Sequence, residues 1–131
     1  MTKIVHVAVG VIKLENKFFL TKRLMDSHQG GLWEFPGGKV EKNETVHQAL
    51  HRELKEEVSI DTLSCTSLMQ ISHDYGDKNV LLDVFVVDNF TGEPLPLEGQ
   101  ESGWFTLAEF DALNFPAANQ AIIEKLQKTY Q

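Results

Sequence analysis

The feature of this sequence that most constrains its fold is a group of acidic residues on a helix predicted from Glu44 to Val58. Apolar residues recur there at spacings of three and four, which is typical of a helix with one buried face; they are Ala49, Leu50, Leu54 and Val58. At about 100° per residue, Glu57 falls inside this apolar arc and Glu53 falls beside it. A solvated run of charges would lie on the opposite face, so the helix carries carboxylates toward the protein interior.

These inward carboxylates need compensation. Glu53, Glu56 and Glu57 are spaced i, i+3 and i+4, so their charges repel, and partial burial pushes one or more of them toward protonation. Two arrangements relieve the repulsion: pairing with arginine, or binding of a hard divalent cation that prefers oxygen ligands. Arg52 is the one local arginine, and it cannot neutralise three carboxylates. The pattern therefore favours a Mg²⁺ or Mn²⁺ site over an ordinary charged helix surface.

The charge of the chain limits what such a site can serve. The 131 residues include 12 Lys and Arg against 19 Asp and Glu, which gives a formal net charge of −7. An acidic protein is a poor partner for a nucleic-acid polymer, because phosphates are neutralised by basic side chains. A small phosphorylated ligand stays compatible if a cation neutralises it. The length predicts a single domain over residues 1–131.

The sequence also predicts a compartment. Cys65 is the single cysteine and cannot form an internal disulfide, so it is interpreted as a small buried hydrophobe. The apolar run near the amino terminus is interrupted by His6 and Lys13, which makes it too short and too polar for a signal peptide or a membrane span. We therefore expect a cytoplasmic protein with no membrane partner.

The remaining segments predict an α/β fold with a mixed sheet covered on both sides by helices. β-branched runs at 4–13 and 18–22, separated by a polar break, predict a hairpin. Glycines at 30–31 and 37–38 predict loops. The further predicted elements are strands at 32–35, 68–75, 80–90 and 104–107, a short helix from Thr106 to Leu113 with a capping box to Glu109, and a last helix starting near Pro116.

The spacing around the acidic helix resembles the signature box of the Nudix hydrolases. The matching residues are Gly38, Glu44 and the run Arg52-Glu53-Leu54-Lys55-Glu56-Glu57-Val58-Ser59-Ile60. Members of that family cleave nucleoside diphosphates linked to another group and use a divalent metal, and the resemblance implies a Nudix-type α/β/α sandwich. Ser59 stands where the family has a glycine that ends the helix in a left-handed conformation, a departure that costs roughly 1 kcal/mol of stability.

Segments outside the box extend the resemblance over nearly the whole chain to the MutT subgroup. They are residues 7–12, 32–39, 92–94, 98–100 and 115–119. MutT enzymes remove 8-oxo-dGTP from the nucleotide pool by hydrolysing it to the monophosphate and pyrophosphate, so the resemblance implies this reaction. The alternatives are a Nudix enzyme for another nucleotide, such as CTP or dCTP, and a metal- or nucleotide-sensing module without catalysis.

The resemblance implies a role for each residue of the box. The metal ligands would be Glu53, Glu56, Glu57, Glu98 and the carbonyl of Gly37, with Mg²⁺ as the cofactor and Mn²⁺ as a substitute. Arg52 would orient the carboxylates, and Glu44 is interpreted as a residue at the start of the helix. Water would attack a phosphorus of the triphosphate, for this subgroup the β-phosphorus. Which glutamate acts as the base stays open.

The resemblance also implies substrate contacts, at Arg23, His28, Glu34, Phe35, Pro36, Gly37, Lys78 and Asn119. By chemistry alone, Phe35 fits a purine wall and a core position equally well. Asn119 carries the donor and acceptor that read a purine's 6-oxo and N7 edge; its alternative is an ordinary residue at a helix start. The best-known MutT protein has an arginine at the position of Lys78, which weakens the case for guanidinium stacking here. A monomer is favoured over an oligomer.

Overall fold

One mixed sheet organises the structure, a computed structural model that describes residues 3–25 and 30–130. Its strands are β1 (Lys3–Leu14), β2 (Lys17–Lys22), β3 (Trp33–Glu34), β4 (Gly37–Lys39), β5 (Asp61–Asp74), β6 (Lys78–Thr91) and β7 (Ser102–Phe105). The main path runs β3-β2-β1-β6-β5, with β4 paired to β1 and β7 paired to β2. β1 and β6 run parallel, from Lys3 opposite Lys78 to Ile12 opposite Val87, and the other described pairs are antiparallel.

Two helices cover the opposite faces of this sheet, α1 (Val46–Val58) and α2 (Gln120–Tyr130). Side chains alternate along β1, so Val9 packs in the core under α2 and Ala8 packs in the core under α1. The predicted α/β class, with a mixed sheet covered on both sides, is confirmed. Neither helix has the length and the apolar run that a membrane span needs, and this holds for the described residues.

The prediction of a loop at 37–38 is wrong, because these glycines form most of β4. Gly37 pairs with Val9 and Gly38 pairs with Ala8. A Cβ atom on Gly37 would overlap the carbonyl oxygen of Ala8, and one on Gly38 would overlap the carboxylate of Glu53. Glycine therefore serves here to bring a strand close to β1 and to α1, and a pattern rule that equates paired glycines with loops does not detect that use.

The helix α1 begins two residues later than predicted, after Thr45. The Thr45 hydroxyl accepts a hydrogen bond from the Gln48 N–H at 3.1 Å, and the Gln48 side chain accepts one from the Thr45 N–H at 2.9 Å. This reciprocal pair is a capping box, which satisfies amide groups that have no partner inside the helix. At the other end, Ser59 adopts φ 64° and ψ 34°, which confirms the predicted left-handed end at a residue other than glycine.

Other boundaries differ by several residues. β5 begins at Asp61 rather than near Leu68, and its pairing with β6 shifts register three times before Met69. The predicted hairpin of β1 and β2 is confirmed, with Ile12 opposite Phe19.

The segment before α2 is more tightly wound than predicted. Residues Ala108–Ala112 and Ala117–Asn119 form 3₁₀ turns, and α2 begins only at Gln120. The Thr106 N–H donates to Glu109 Oε1 at 2.8 Å, as the predicted capping box requires. Asn119 therefore lies in the turn that leads into α2.

Candidate active site

Glu57 is the buried acid of α1, as its place in the apolar arc predicts. The residue is 9% exposed, and one of its carboxylate oxygens accepts a hydrogen bond from the Gly37 N–H at 3.2 Å. Burial raises the pKa of Glu57 to about 8, and the negative charges of Glu34, Glu98 and Glu53 act in the same direction. The Gly37 N–H opposes this shift but does not cancel it. Glu57 therefore lies within the electrostatic reach of three other glutamates.

Arg52 holds two other acids, namely Glu44 and Glu53. Its Nε and Nη2 atoms donate to the two oxygens of Glu44 at 2.8 and 2.9 Å, and its Nη1 atom donates to Glu53 Oε1 at 2.7 Å. Nη2 also donates to the carbonyl oxygen of Lys39 at 3.0 Å. This pairing with Arg52, aided by the backbone N–H of Glu41, lowers the pKa of Glu44 to about 2. Arg52 thus ties α1 to the segment before it, and its bidentate contact needs a guanidinium.

The three box glutamates differ in exposure. The Glu53 carboxylate lies against Gly38, where a Cβ atom would overlap it, and its side chain is largely covered. The Glu56 side chain is 63% exposed and lies 3.4 Å from Arg52. Glu53 and Glu57 therefore face the interior and Glu56 lies at the surface margin, a gradation that the helical spacing alone does not resolve.

Glu57 opens into a cleft that we name the carboxylate cleft. It has a volume of about 150 Å³ and is lined by Arg23, Leu24, Glu34, Glu57, Glu98 and Gln100. Arg23 Nη1 donates to Glu34 Oε2 at 2.9 Å. Burial raises the pKa of Glu34, while this contact with Arg23 opposes the rise. The cleft thus joins acids from a helix, a strand and a loop.

A second cleft, of about 290 Å³, shares Arg23 and Glu34 with the first. We name it the apolar cleft, because apolar surface forms the larger part of its walls. The apolar residues are Val7, Val9, Phe35, Leu82, Pro116 and Ala118, and the other wall residues include Gly37, Gly38, Lys39, Tyr75 and Asn119. Phe35 is buried, and its ring stacks on Phe115 with centroids 6.0 Å apart. Phe35 therefore meets both interpretations of the sequence, as core residue and as cleft wall.

Some predicted contacts stand apart from these clefts. Lys78 is exposed at the start of β6 and lines neither cleft. Pro36 also lines neither cleft, and its carbonyl accepts a hydrogen bond from the Gly10 N–H at 2.8 Å. His28 lies outside the described residues. Tyr75 and Leu82 also line the apolar cleft, although the sequence analysis does not predict either of them as a site residue. The alternation of β6, which places Leu82 on the same face as Val84, was a usable signal for one of them.

The donors of the carboxylate cleft suit a hard divalent cation. Carboxylate oxygens of Glu57, Glu98 and Glu34 line it, and such oxygens are the ligands that Mg²⁺ and Mn²⁺ prefer. In the part of the chain that the structure describes, no three acidic, histidine or cysteine side chains are gathered as tightly as around a bound ion. Arg52 and the Gly37 N–H engage Glu53 and Glu57 instead. The residues fit the cation by chemistry and by excess of negative charge.

The chain is similar to known proteins over nearly all of its length. The model of the NUDIX domain matches residues 7–125. The chain is 39% identical over 127 residues to the 8-oxo-dGTP diphosphatase of Escherichia coli K12, covering 96% of this chain and 98% of that protein. It is 34% identical over 116 residues to the CTP pyrophosphohydrolase of the same organism, covering 88% and 84%. A solved MutT structure, from Aliivibrio salmonicida or Vibrio cholerae, superposes with a TM-score of 0.86 at 34% identity, covering 98% of this chain and 100% of that one.

Proposed function

The chain belongs to the NUDIX domain family, and from that premise we propose that this hydrolase converts 8-oxo-dGTP to 8-oxo-dGMP and pyrophosphate. The observation that carries the proposal is the pair of adjoining clefts, one lined by carboxylates and one mostly apolar with an amide in its wall. A triphosphate with its cation suits the first, and a purine suits the second. Hydrolysis would remove the oxidised nucleotide before it is incorporated into DNA.

We assign the cation to Glu53, Glu56, Glu57, Glu98 and the carbonyl of Gly37, and we propose Mg²⁺, with Mn²⁺ as a substitute. When bound, such a cation lowers the pKa of water and neutralises charge on the triphosphate. The residues of the chain supply the rest. Arg52 keeps Glu53 in place through the 2.7 Å bond, and a carboxylate of the cleft accepts the proton of the attacking water.

The bond changes are those of a hydrolysis. Water adds to the β-phosphorus, the bond from that phosphorus to the bridging α-phosphate oxygen breaks, and the nucleoside monophosphate leaves. Arg23 lines both clefts and is held by Glu34 at 2.9 Å. Its guanidinium therefore lies where the phosphates of a nucleotide spanning the two clefts would pass, and we assign it to them.

Base recognition is assigned to the apolar cleft. 8-Oxoguanine carries an N–H at N7, where guanine carries an acceptor, and both carry an oxygen at position 6. The amide of Asn119 can accept from that N–H and donate to that oxygen, so it pairs with the oxidised base better than with the normal one. Phe35 supplies an aromatic wall.

A second candidate substrate is CTP or dCTP. The relative at 34% identity is a CTP pyrophosphohydrolase, and the carboxylate cleft would treat the phosphates of any nucleotide alike. We propose in either case a cytoplasmic protein, as expected for a chain with a single cysteine, and a monomer in preference to an oligomer.

A panel of initial rates tests the proposal. Purified protein with Mg²⁺ is given 8-oxo-dGTP, dGTP, CTP, dCTP and ADP-ribose, and the products are identified. We expect the highest kcat/KM for 8-oxo-dGTP, with 8-oxo-dGMP and pyrophosphate as products. A higher kcat/KM for CTP or dCTP would make that nucleotide the substrate in place of 8-oxo-dGTP. No turnover of any of these nucleotides with Mg²⁺ or Mn²⁺ would indicate a sensing module without catalysis.

A further inference from the structure

The loop that carries Glu98 is tied to the carboxyl end of α1. The Leu95 N–H donates to the carbonyl oxygen of Val58 at 3.0 Å, and the Leu97 N–H donates to that of Glu57 at 3.0 Å. Carbonyls in the last turn of a helix have no donor within the helix, so the loop satisfies groups that would otherwise need water. The backbone at Glu57 is thus bonded to the residue that precedes Glu98.

Within this loop, Gln100 contacts Glu98 twice. The Glu98 N–H donates to Gln100 Oε1 at 3.1 Å, and Gln100 Nε2 donates to Glu98 Oε1 at 3.4 Å. Gly99 lies between them with φ 82°, a conformation that glycine adopts without strain. One amide side chain therefore spans the turn and holds both the backbone and the carboxylate of the same residue.

The charge of the surroundings explains why an amide is suited to this task. Gln100 and Glu98 line the carboxylate cleft together with Glu34 and Glu57. Glu98 is exposed, and its negative charge raises the pKa of the Glu34 and Glu57 carboxyls. Repulsion from these two acids favours turning the Glu98 carboxylate away from the cleft, unless a donor holds it. A lysine or arginine would hold it too, but would add a positive charge beside the cation. The amide of Gln100 donates a hydrogen bond and leaves the negative charge available to a cation.

We propose that Gln100 is a positioning residue that holds the carboxylate of Glu98 in the carboxylate cleft for the cation. The inference rests on the proposed function, since it assigns Glu98 to the metal. It predicts that removing the amide weakens metal binding through Glu98 alone.

Two substitutions separate the bonds that Gln100 makes. Gln100→Met keeps the length of the side chain and loses both bonds. Gln100→Glu keeps an acceptor for the Glu98 N–H but opposes the Glu98 carboxylate with a like charge. Gln127→Met, on α2 and away from both clefts, is the matched control.

The measurements are the Kd for Mn²⁺ without nucleotide, by titration with electron paramagnetic resonance, and kcat and KM for 8-oxo-dGTP with Mg²⁺. We expect Gln100→Met to weaken Mn²⁺ binding by about tenfold and to lower kcat with KM little changed, as for other residues that orient metal ligands. Gln100→Glu is expected to have at least the same effect. If Gln100→Glu behaves as wild type, Gln100 shapes only the turn and the inference is wrong.

A double-mutant cycle decides whether Gln100 acts through Glu98. In a Glu98→Gln background, Gln100→Met should change the Kd for Mn²⁺ by less than about twofold, because the carboxylate that it positions is gone. Independent, multiplying effects contradict the inference. Wild-type protein that binds no Mn²⁺ overturns the proposed function and this inference together, whereas wild-type binding with unchanged binding in Gln100→Met overturns this inference alone. Thermal unfolding of each variant checks that it is folded.

Discussion

The two clefts lie side by side and differ in how the chain builds them. The three acids of the carboxylate cleft come from three places, Glu57 from α1, Glu34 from β3 and Glu98 from a loop tied to the end of α1. The apolar cleft draws its walls from β1, the segment from β3 to β4, β6, the turn after β5 and the segment before α2. We therefore expect the phosphate chemistry to depend on α1, on β3 and on the loop tied to α1, and the choice of base to depend on several other elements that can vary one at a time.

The largest effect is expected from Glu53→Gln, which tests whether the proposed metal ligands of α1 serve every substrate alike. Removing a charged oxygen from the metal site should lower kcat by roughly 100-fold or more. The reduction should be the same for 8-oxo-dGTP and dGTP, because the phosphates are identical. The melting temperature should stay near that of wild type.

Glu124→Gln, on the exposed side of α2, is the matched control for the loss of one negative charge. Turnover of Glu53→Gln near the wild-type rate would remove Glu53 from the mechanism. A reduction confined to one base would mean that the two clefts are not separable.

Asn119→Ala tests whether the apolar cleft selects the base. Losing the amide that reads the N7 edge should reduce the kcat/KM ratio of 8-oxo-dGTP over dGTP by about tenfold or more, since a site built for hydrogen bonds discriminates through them. Turnover of dGTP should change little. Asn89→Ala, at an exposed position of β6, serves as the control. An unchanged ratio would refute the assignment of Asn119.

The stability of the protein should depend on pH through Glu57 of the carboxylate cleft. Because the pKa of Glu57 is raised to about 8 from an ordinary 4.5, the folded state binds its proton more tightly than the unfolded state does. The free energy of unfolding of chelator-treated protein should therefore fall as the pH rises from about 4.5 to about 8. Urea unfolding across this range measures it.

Glu57→Gln should flatten that slope, since the side chain no longer titrates. Saturating Mg²⁺ should reverse it, because the cation binds the deprotonated form. A slope in the variant equal to that of wild-type protein would assign the dependence to another group.

The smallest effect is expected from Ser59→Gly, which changes the end of α1 and neither cleft. Glycine adopts the observed φ of 64° without strain, so the free energy of unfolding should rise by up to about 1 kcal/mol. Kinetic constants should match those of wild type. Ser67→Gly, on the exposed side of β5, should have the opposite sign, because glycine weakens a strand. Altered kcat in Ser59→Gly would mean that the helix end also sets the position of Glu57.

The contrast between the clefts also explains what could be predicted. The burial of Glu57 followed from a helical period read over fifteen residues, because the apolar spacing and the acid are local to one another. The arrangement of β4 did not follow, since Gly37 and Gly38 are required by contacts to Ala8 and Glu53 that are distant in sequence. The position of Tyr75 in the apolar cleft depends likewise on tertiary packing.

The extent of β5 and the internal contacts of Glu98 escaped prediction for related reasons. The first half of β5 reads Thr62-Leu63-Ser64-Cys65-Thr66, a stretch whose pairing is irregular and whose pattern is correspondingly weak. In the sequence, Gln100 belongs only to the segment 98–100 that resembles the MutT subgroup. Its hydrogen bonds to Glu98 depend on a turn that composition does not predict.

The parallel pairing of β1 with β6 has a consequence for synthesis on the ribosome. Residues 3–12 find their partners at 78–87, so the middle of the sheet cannot close until about two thirds of the chain has emerged. Until then α1 lacks Phe85 and Val87 of β6, which pack against its apolar face, and that face stays partly open to chaperones or to other nascent chains. Substitutions that slow the closure of β1 on β6 should therefore reduce the yield of protein in cells more than they reduce the activity of the molecules that finish folding.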